Sequence, residues 1–508
     1  VEHLRRVRRG LFPGRSPDVV FVPRAPNFFG GFSATTHSGP WNYVQRVPLV
    51  FYGPGYFRAR GALELAREVT LADVAPTLAE LLGAPWPARR AGRVLNEVLL
   101  PSERRARPPA LLLTVVWDGG GWNVLERWPR AWPGLAEMMK SGTSVTNATV
   151  GSSPTVTPAV HATIGTGAFP RETGIVDIPL RAGGEIVPYS FPGADPSYLR
   201  LASVADIYDR SVNNAAEVGM LAYQAFHLGM MGRGAQIPGG DRDLGIIVSE
   251  ERGADATDPG HFWTNNSFYD VPPYLEAITG FEGYLDTVDR ADGRLDRAWR
   301  GHIDLTDPTH VRHSPVWVLF QTKVIETLLA REGFGNDAIP DLFFTNYKQI
   351  DDVGHNWNML NPEMREVLQY SDASLGALTH WLDEHVGRRR WAMVVTADHG
   401  QAPDPAAVGA WPIGIGPLKA DVASHFGVEP GDLFAEERPV GFWLERGAPV
   451  TPGEIADYLM GYRLRDNASS ADAVPDQYRS RLDERLFAAA WPSRAMERVW
   501  ACALRRAG

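Results

Sequence analysis

The 508-residue sequence contains a single cysteine, Cys502. That scarcity excludes a disulfide framework, a zinc site built on thiolates and an iron–sulfur cluster. Lysine is almost as rare. Only Lys140, Lys323, Lys348 and Lys419 occur among 50 basic residues, an arginine bias read as genomic rather than functional. The formal net charge of −10 argues against a general nucleic-acid binder. It leaves a phosphate-bearing substrate open, because bound cations can supply positive charge locally. No apolar run approaches the roughly 18 residues of a membrane-spanning helix. The basic N-terminus, VEHLRRVRRG, lacks the apolar stretch of a signal peptide. No membrane association is therefore expected, and a cytoplasmic location is the default expectation. The chain begins with Val1, for which a non-standard start codon or a trimmed end are equal explanations.

What remains is ordinary globular composition, 44% hydrophobic and 22% charged, with 51 glycines and 40 prolines that imply many loops. Residues 18–22 (DVVFV) and 47–52 (VPLVFY) read as short buried strands, and 70–83 as a helix stopped by Gly83. The polar, basic, proline-ended run 101–109 (PSERRARPP) has no apolar period and reads as a linker. Beyond it, 111–117 (LLLTVVW), 341–347 (DLFFTNY) and 391–397 (WAMVVTA) are continuous apolar runs, the form of strands buried on both faces of a parallel sheet. Asn361-Pro362 is a good helix start, and Met364, Val367, Leu368, Leu375, Leu378, Trp381 and Leu382 then share one helical face. Strands alternating with helices predict an α/β fold, a mostly parallel central sheet flanked by helices. The irregular stretch at about 240–335 is expected to be a smaller insertion near the active-site mouth.

In such sheets functional residues gather at the C-terminal ends of the strands. Three strand ends carry metal-type ligands: Asp118, then Asp351 and His355 in KQIDDVGH, then Asp398 and His399. Mixed carboxylate and imidazole donors suit zinc or manganese better than calcium. In the block 151–175 (GSSPTVTPAVHATIGTGAFPRETGI), Pro158 suits the first turn of a helix, which would put Thr157 at its N-cap in a field that favours anions. Singly, each of these residues is more often a turn or cap residue; the combination is the pattern of a two-metal hydrolase. His302, His310 and His313, with Asp304 and Asp307, fall in a polar segment and read as a solvated loop.

These blocks resemble the alkaline phosphatase superfamily, most closely its nucleotide pyrophosphatase/phosphodiesterase branch. TVTPAVHATIGTGAFPRETGI is similar to that branch's nucleophile block, in which a Thr lies four residues before a His, which selects Thr157 with His161 over Thr155. The D-x-x-G-H at 351–355 and ADHG at 397–400 match two more blocks. The resemblance implies an alkaline phosphatase-like fold and two divalent ions, zinc with manganese as the substitute. Asp118, Thr157, Asp398 and His399 would hold one ion, Asp351 and His355 the other. It further implies hydrolysis of a small phosphate ester or nucleotide, phosphodiester or pyrophosphate bonds favoured, through a phosphothreonine at Thr157. Stable nucleic-acid binding is not expected.

The family's remaining histidine ordinarily follows ADHG within a Thr-His-Gly block and a VP-L-FYGPG strand. Only His425 follows His399, in unlike surroundings. The matching block, THSGPWNYVQRVPLVFYGPG, instead runs from Thr36 to Gly55, which assigns the missing ligand to His37. The resemblance thus implies a circular permutation. Residues 1–98 would be the usual C-terminal part of the catalytic domain, 99–109 a linker, and 110–508 the remainder. A fragment of a longer tandem protein is the rival account. One departure concerns the substrate. The branch places an Asn 21 positions after its nucleophile, and position 178 here is Ile. Lys348 or Arg181 is the candidate replacement for binding substrate. The alternatives are a phosphomonoesterase or phosphotransferase on the same site, or a catalytically silent metal-binding homologue.

Overall fold

The computed structural model describes residues 1–30, 36–105, 107–249, 260–468 and 474–507. Residue 106 of the expected linker and 250–259 of the expected insertion lie outside the described residues. The main sheet is built on β1 (Leu49–Tyr52), β2 (Leu111–Trp117), β3 (Val218–Ala222), β4 (Asp243–Ser249), β5 (Asp341–Tyr347) and β6 (Trp391–Thr396). Their spatial order is β4–β3–β5–β2–β6–β1. The first five run parallel, and β1 pairs antiparallel with β6. Short strands finish the edges: His261–Trp263 antiparallel beside β4, then Thr143–Val145 and Gly61–Leu63 beyond β1. The α/β architecture with a parallel centre is as expected; the edges make the sheet mixed.

The apolar runs explain the layers. All seven residues of β2 are buried, because successive side chains enter opposite cores. Leu111, Leu113, Val115 and Trp117 join one cluster, together with helices Pro315–Arg331 and Pro362–Leu382. Leu112 and Val116 join the other, with helices Val74–Leu82 and Val204–Ser211. Asn361 caps the 21-residue helix that starts at Pro362. Among the described residues no helix is long and apolar enough to cross a membrane.

One feature departs from the sequence reading. The expected insertion is narrower than 240–335: its beginning supplies β4 and its end the helix Pro315–Arg331, both part of the central layers. An aromatic-rich, irregular sequence concealed an interior strand and a packed helix. Val19–Pro23 is a buried strand, as read from 18–22, and it lies outside the main sheet. It sits in a separate four-stranded antiparallel sheet between Gly441–Leu444 and Phe487–Pro492, with Phe434–Arg438 at the edge. That sheet has its own core, in which the Phe21 ring lies 4.8 Å from Phe442 and 5.3 Å from Phe487. The helices Glu2–Gly10 and Met496–Ala507 lie side by side, joined by Arg8 and Glu497 at 3.0 Å.

Candidate metal centre

The site forms where β2, β5 and β6 end. After β2 the chain turns sharply at Gly119, whose φ of +72° favours glycine. A Cβ there would meet Gln401 Nε2 at 2.6 Å and Asp351 Cα at 3.0 Å. One at Gly121 would meet Gly400 Cα at 2.6 Å. The missing side chains let the loops carrying Asp118, Asp351 and Asp398 converge. Gly119 N–H donates to Asp398 Oδ1 at 3.0 Å, tying two of the loops. After β5, α2 (Gln349–Trp357) places Asp351 and His355 one turn apart on one face. Asp398 and His399 follow β6 directly.

Two ligand groups result, the donor atoms in each within 4.8 Å of one another. One is Asp118, Asp398 and His399, all fully buried, with His399 Nε2 3.5 Å from Asp118 Oδ1 and 3.3 Å from Asp398 Oδ2. The other is Asp351, His355 and His37, with Asp351 Oδ2 3.3 Å from His355 Nε2 and Asp351 Oδ1 3.6 Å from His37 Nε2. The groups adjoin: the His37 and His399 rings stack at 3.5 Å with 5° between their planes. His37 thus reaches the site from the N-terminal segment, where the sequence placed it.

Asp398 Oδ2 and His399 Nε2 are buried without a hydrogen-bond partner. Such orphaned acceptors are costly in a dry interior, and a cation satisfies them. The sets of two carboxylates with one imidazole, and one carboxylate with two imidazoles, fit divalent zinc or manganese. Burial holds the His37, His161 and His399 imidazoles below their ordinary pKa, the neutral form a metal requires. Burial and the neighbouring Asp118 charge push Asp398 well above the usual carboxylate range.

Among the described residues, Lys348 brings a positive side chain to these carboxylates. Its Nζ contacts Asp351 and lies 3.3 Å from Asp118 Oδ1. Burial disfavours its charge, but Asp118 and Asp351 outweigh burial and hold the ammonium well above its ordinary pKa. Arg181, the other substrate-binding candidate, is engaged elsewhere. Its guanidinium donates to Asp18 Oδ2 at 2.7 Å and to the Leu444 carbonyl at 2.5 Å, linking the strand Leu180–Ala182 to the four-stranded sheet. An arginine beside a turn carries no sequence mark that separates these two fates.

Thr157 opens α1 (Thr157–Thr166), a helix buried along its whole length. Val156 takes the N-cap, so Thr157 is the first helical residue rather than the cap. One turn on, His161 Nδ1 donates to the Thr157 carbonyl at 2.8 Å and lies 3.7 Å from Asp398 Oδ2. The helix start therefore abuts the Asp118 group. Thr155 has a supporting part: its carbonyl accepts from His37 Nδ1 at 2.7 Å, and its hydroxyl accepts from Gly39 N–H at 3.3 Å.

Sequence reasoning missed three residues here. Gln401 donates to Asp351 Oδ1. Asn346, at the end of β5, donates to Asp118 Oδ2 at 3.1 Å. His227, fully buried, has its Nε2 3.5 Å from Asp118 Oδ2. Gln401 follows ADHG directly and Asn346 precedes KQIDDVGH by two positions, so adjacency was a usable signal; His227, in AYQAFHLGMM, offered none. The histidines 302, 310 and 313 join no ligand group among the described residues.

Residues 112–409, more than half of the chain and all of these strand ends, match the family model "Type I phosphodiesterase / nucleotide pyrophosphatase". The chain belongs to this family. Its curated relatives include alkaline phosphatase PhoV of Synechococcus elongatus, 20% identical over 332 residues, or 58% of this chain and 59% of that one. Alkaline phosphatase PafA of Elizabethkingia meningoseptica is 22% identical over 345 residues, 61% of this chain and 63% of that one. The chain thus spans about three fifths of the length of these relatives. The crystal structure of wild-type PafA superposes with a TM-score of 0.55 at 18% identity, over 76% of this chain and 84% of that one. The likeness in fold places the chain among alkaline phosphatase-like structures.

Proposed function

We propose that this family member is a two-metal phosphohydrolase that cleaves phosphate esters through a phosphothreonine at Thr157. The observation that carries the reading is the adjacency of two three-residue donor groups, Asp118–Asp398–His399 and His37–Asp351–His355, beside the start of α1. Divalent cations, zinc by donor type, would be held there and would supply the Lewis-acid charge that ionises a hydroxyl and balances developing negative charge. The chain's own residues do the rest. Thr157 Oγ1, its proton lost to solvent, forms a bond to phosphorus as the ester oxygen leaves with its electron pair and takes a proton from water. Water then breaks the Thr157–phosphate bond and restores the hydroxyl. The N–H groups of the first turn of α1 favour the anionic phosphoryl group. Lys348, whose ammonium stands beside Asp118 and Asp351, would offer it to a phosphoryl oxygen if bound cations took over those carboxylates. The substrate is a small phosphate ester or nucleotide.

Two observations support a permuted order: the family match spans 112–409, and His37 and β1 join the site from residues 36–98, before the expected linker at 99–109. Ile178 in place of the branch's Asn, and relatives that bear the name alkaline phosphatase, favour a monoesterase as the second reading. Hydrolysis of p-nitrophenyl phosphate against its bis-ester separates the two. Thr157→Ala should abolish turnover of either ester while metal content stays the same; near-normal turnover would sink the assignment.

A further inference from the structure

The segment whose histidines read as a solvated loop packs two of its residues on α2. Arg312 ends the helix Pro308–Arg312, and His313 follows it. Gln349 Nε2 lies 3.5 Å from the Arg312 carbonyl, and Asn356 Nδ2 lies 3.1 Å from His313 Nδ1. Gln349 and Asn356 stand two turns apart on one face of α2, next to the face that carries Asp351 and His355. Arg312 and His313, both half-buried, therefore border the His37–Asp351–His355 group from outside. We propose that Arg312 and His313 determine specificity by binding a leaving group that itself bears phosphate, so that phosphoanhydrides are preferred to simple esters.

In-line displacement sets where a leaving group goes. Thr157 opens α1 beside the Asp118 group, since His161, one turn on, has its Nδ1 3.7 Å from Asp398 Oδ2. Attack from that side expels the leaving oxygen on the opposite side, past the His37–Asp351–His355 group. Whatever that oxygen is attached to then lies toward His355 and α2. A departing phosphate takes the electron pair of the broken P–O bond and gains negative charge. A fixed cation stabilises that charge without any proton transfer.

The His313 ring is one acceptor short. Asn356 Nδ2 donates to the Asp352 carbonyl at 2.8 Å, and a carbonyl can only accept, so this amide cannot be turned over. Its N–H groups are what faces His313 Nδ1. Across the ring, Arg312 Nε and Nη2 lie 3.3 and 3.2 Å from Nε2, and these are donors as well. Burial, with the positive field of Arg312 and Lys348, pushes His313 down to about 3, so the ring is neutral. A neutral imidazole has one lone pair, and in either tautomer its remaining N–H faces a donor. An anionic oxygen between Nε2 and the guanidinium would accept from both and remove the conflict. The planar fork of Arg312 suits the paired oxygens of a phosphate.

This inference rests on the proposed function for the direction of attack. The test compares ADP with p-nitrophenyl phosphate and its bis-ester, as kcat/KM, in wild type and Arg312→Ala. ADP yields AMP and phosphate whichever phosphorus Thr157 attacks, and either way the leaving group bears phosphate; the aryl esters release a phenol. Loss of a charged hydrogen-bond partner should lower kcat/KM for ADP about 10–100-fold, while the aryl esters stay close to wild type. Arg312→Lys, which keeps the charge without the fork, should recover part of the loss. An equal loss on all three substrates, or none on ADP, would overturn the inference. Wild type that cleaves the aryl esters but not ADP would overturn it too and leave the proposed function intact. Wild type that cleaves none of the three would overturn both. If circular dichroism shows that Arg312→Ala does not fold, Arg312→Gln, which keeps most of the stem, gives the same comparison.

Discussion

His37→Ala asks whether the N-terminal segment completes the metal centre. The substitution removes one of three clustered donors and leaves the remainder paired: Asp351 keeps Gln401, Lys348 and His355. The structural losses are modest. The His37–Thr155 hydrogen bond is worth about 1 kcal/mol, and the stack on His399 about 0.5–1.5 kcal/mol. Spread over a chain of this size, they should shift the melting temperature by only a few degrees. The effect on metal binding is larger. Loss of an outer partner of a metal ligand costs about 10–100-fold in affinity, so loss of a direct donor should cost at least that, about 1.4–2.7 kcal/mol or more. Only the ion at Asp351 and His355 should weaken, while the one at Asp118, Asp398 and His399 stays. Competition with a chromophoric chelator measures this, read beside circular dichroism to confirm folding. Unchanged affinity at both positions would refute the assignment of His37 and, with it, the support for a permuted order. A uniform loss of both ions with loss of fold would show that His37 serves structure instead.

Gly121→Ala drives a methyl group to 2.6 Å from Gly400 Cα, a backbone atom that cannot yield cheaply. Overpacking of this kind costs about 1–3 kcal/mol, and hydrolysis should fall with it; denaturant unfolding and steady-state rates check both. Asp177, fully buried, has its carboxyl pushed up to about 6 by burial. The native state therefore holds a proton that the unfolded chain releases near pH 4, and stability declines as pH rises from about 4 to 6. Asp177→Asn should remove that decline, gaining up to about 3 kcal/mol above pH 6; parallel unfolding curves in denaturant between pH 4 and 7 test it. A protease site placed at the exposed residues Ser102–Arg104 should allow the chain to be cut with activity retained. β1 pairs with β6 on one side and with Thr143–Val145 on the other, which keeps the N-terminal piece in place. Activity lost on cutting alone, with the pieces still associated, would count against this account of the linker.

Much of this arrangement was legible in the residues themselves. Continuous apolar runs at 111–117, 341–347 and 391–397 announced strands buried on both faces, because only a doubly covered strand dispenses with polar alternation. Polar residues placed just after such runs could be read as a site, because strand ends are where a parallel sheet exposes its loops. Asp118, Asp351, His355, Asp398 and His399 were found that way. His37 needed more than the run beside it: the resemblance of its block to one that normally stands at the far end of the chain.

Other features depend on packing between distant segments. Val19–Pro23 reads as a buried strand, yet no local pattern tells which sheet it joins; Phe442 and Trp491, more than 400 residues away, decide that. Arg181 and Lys348 are both lone cations near motifs. Asp18 and the Leu444 carbonyl claim one, and Asp118 and Asp351 hold the other. His227 shows the limit most clearly. Its surroundings in sequence are apolar, and its chemistry arises only because β3, β5 and α1 bring Gln224, Asn346 and His161 around it. The sequence by itself determined the strands and the types of side chain that follow them, since these depend on local periodicity and adjacency. The tertiary structure alone decided which side chains share a carboxylate, since that depends on contacts across hundreds of residues.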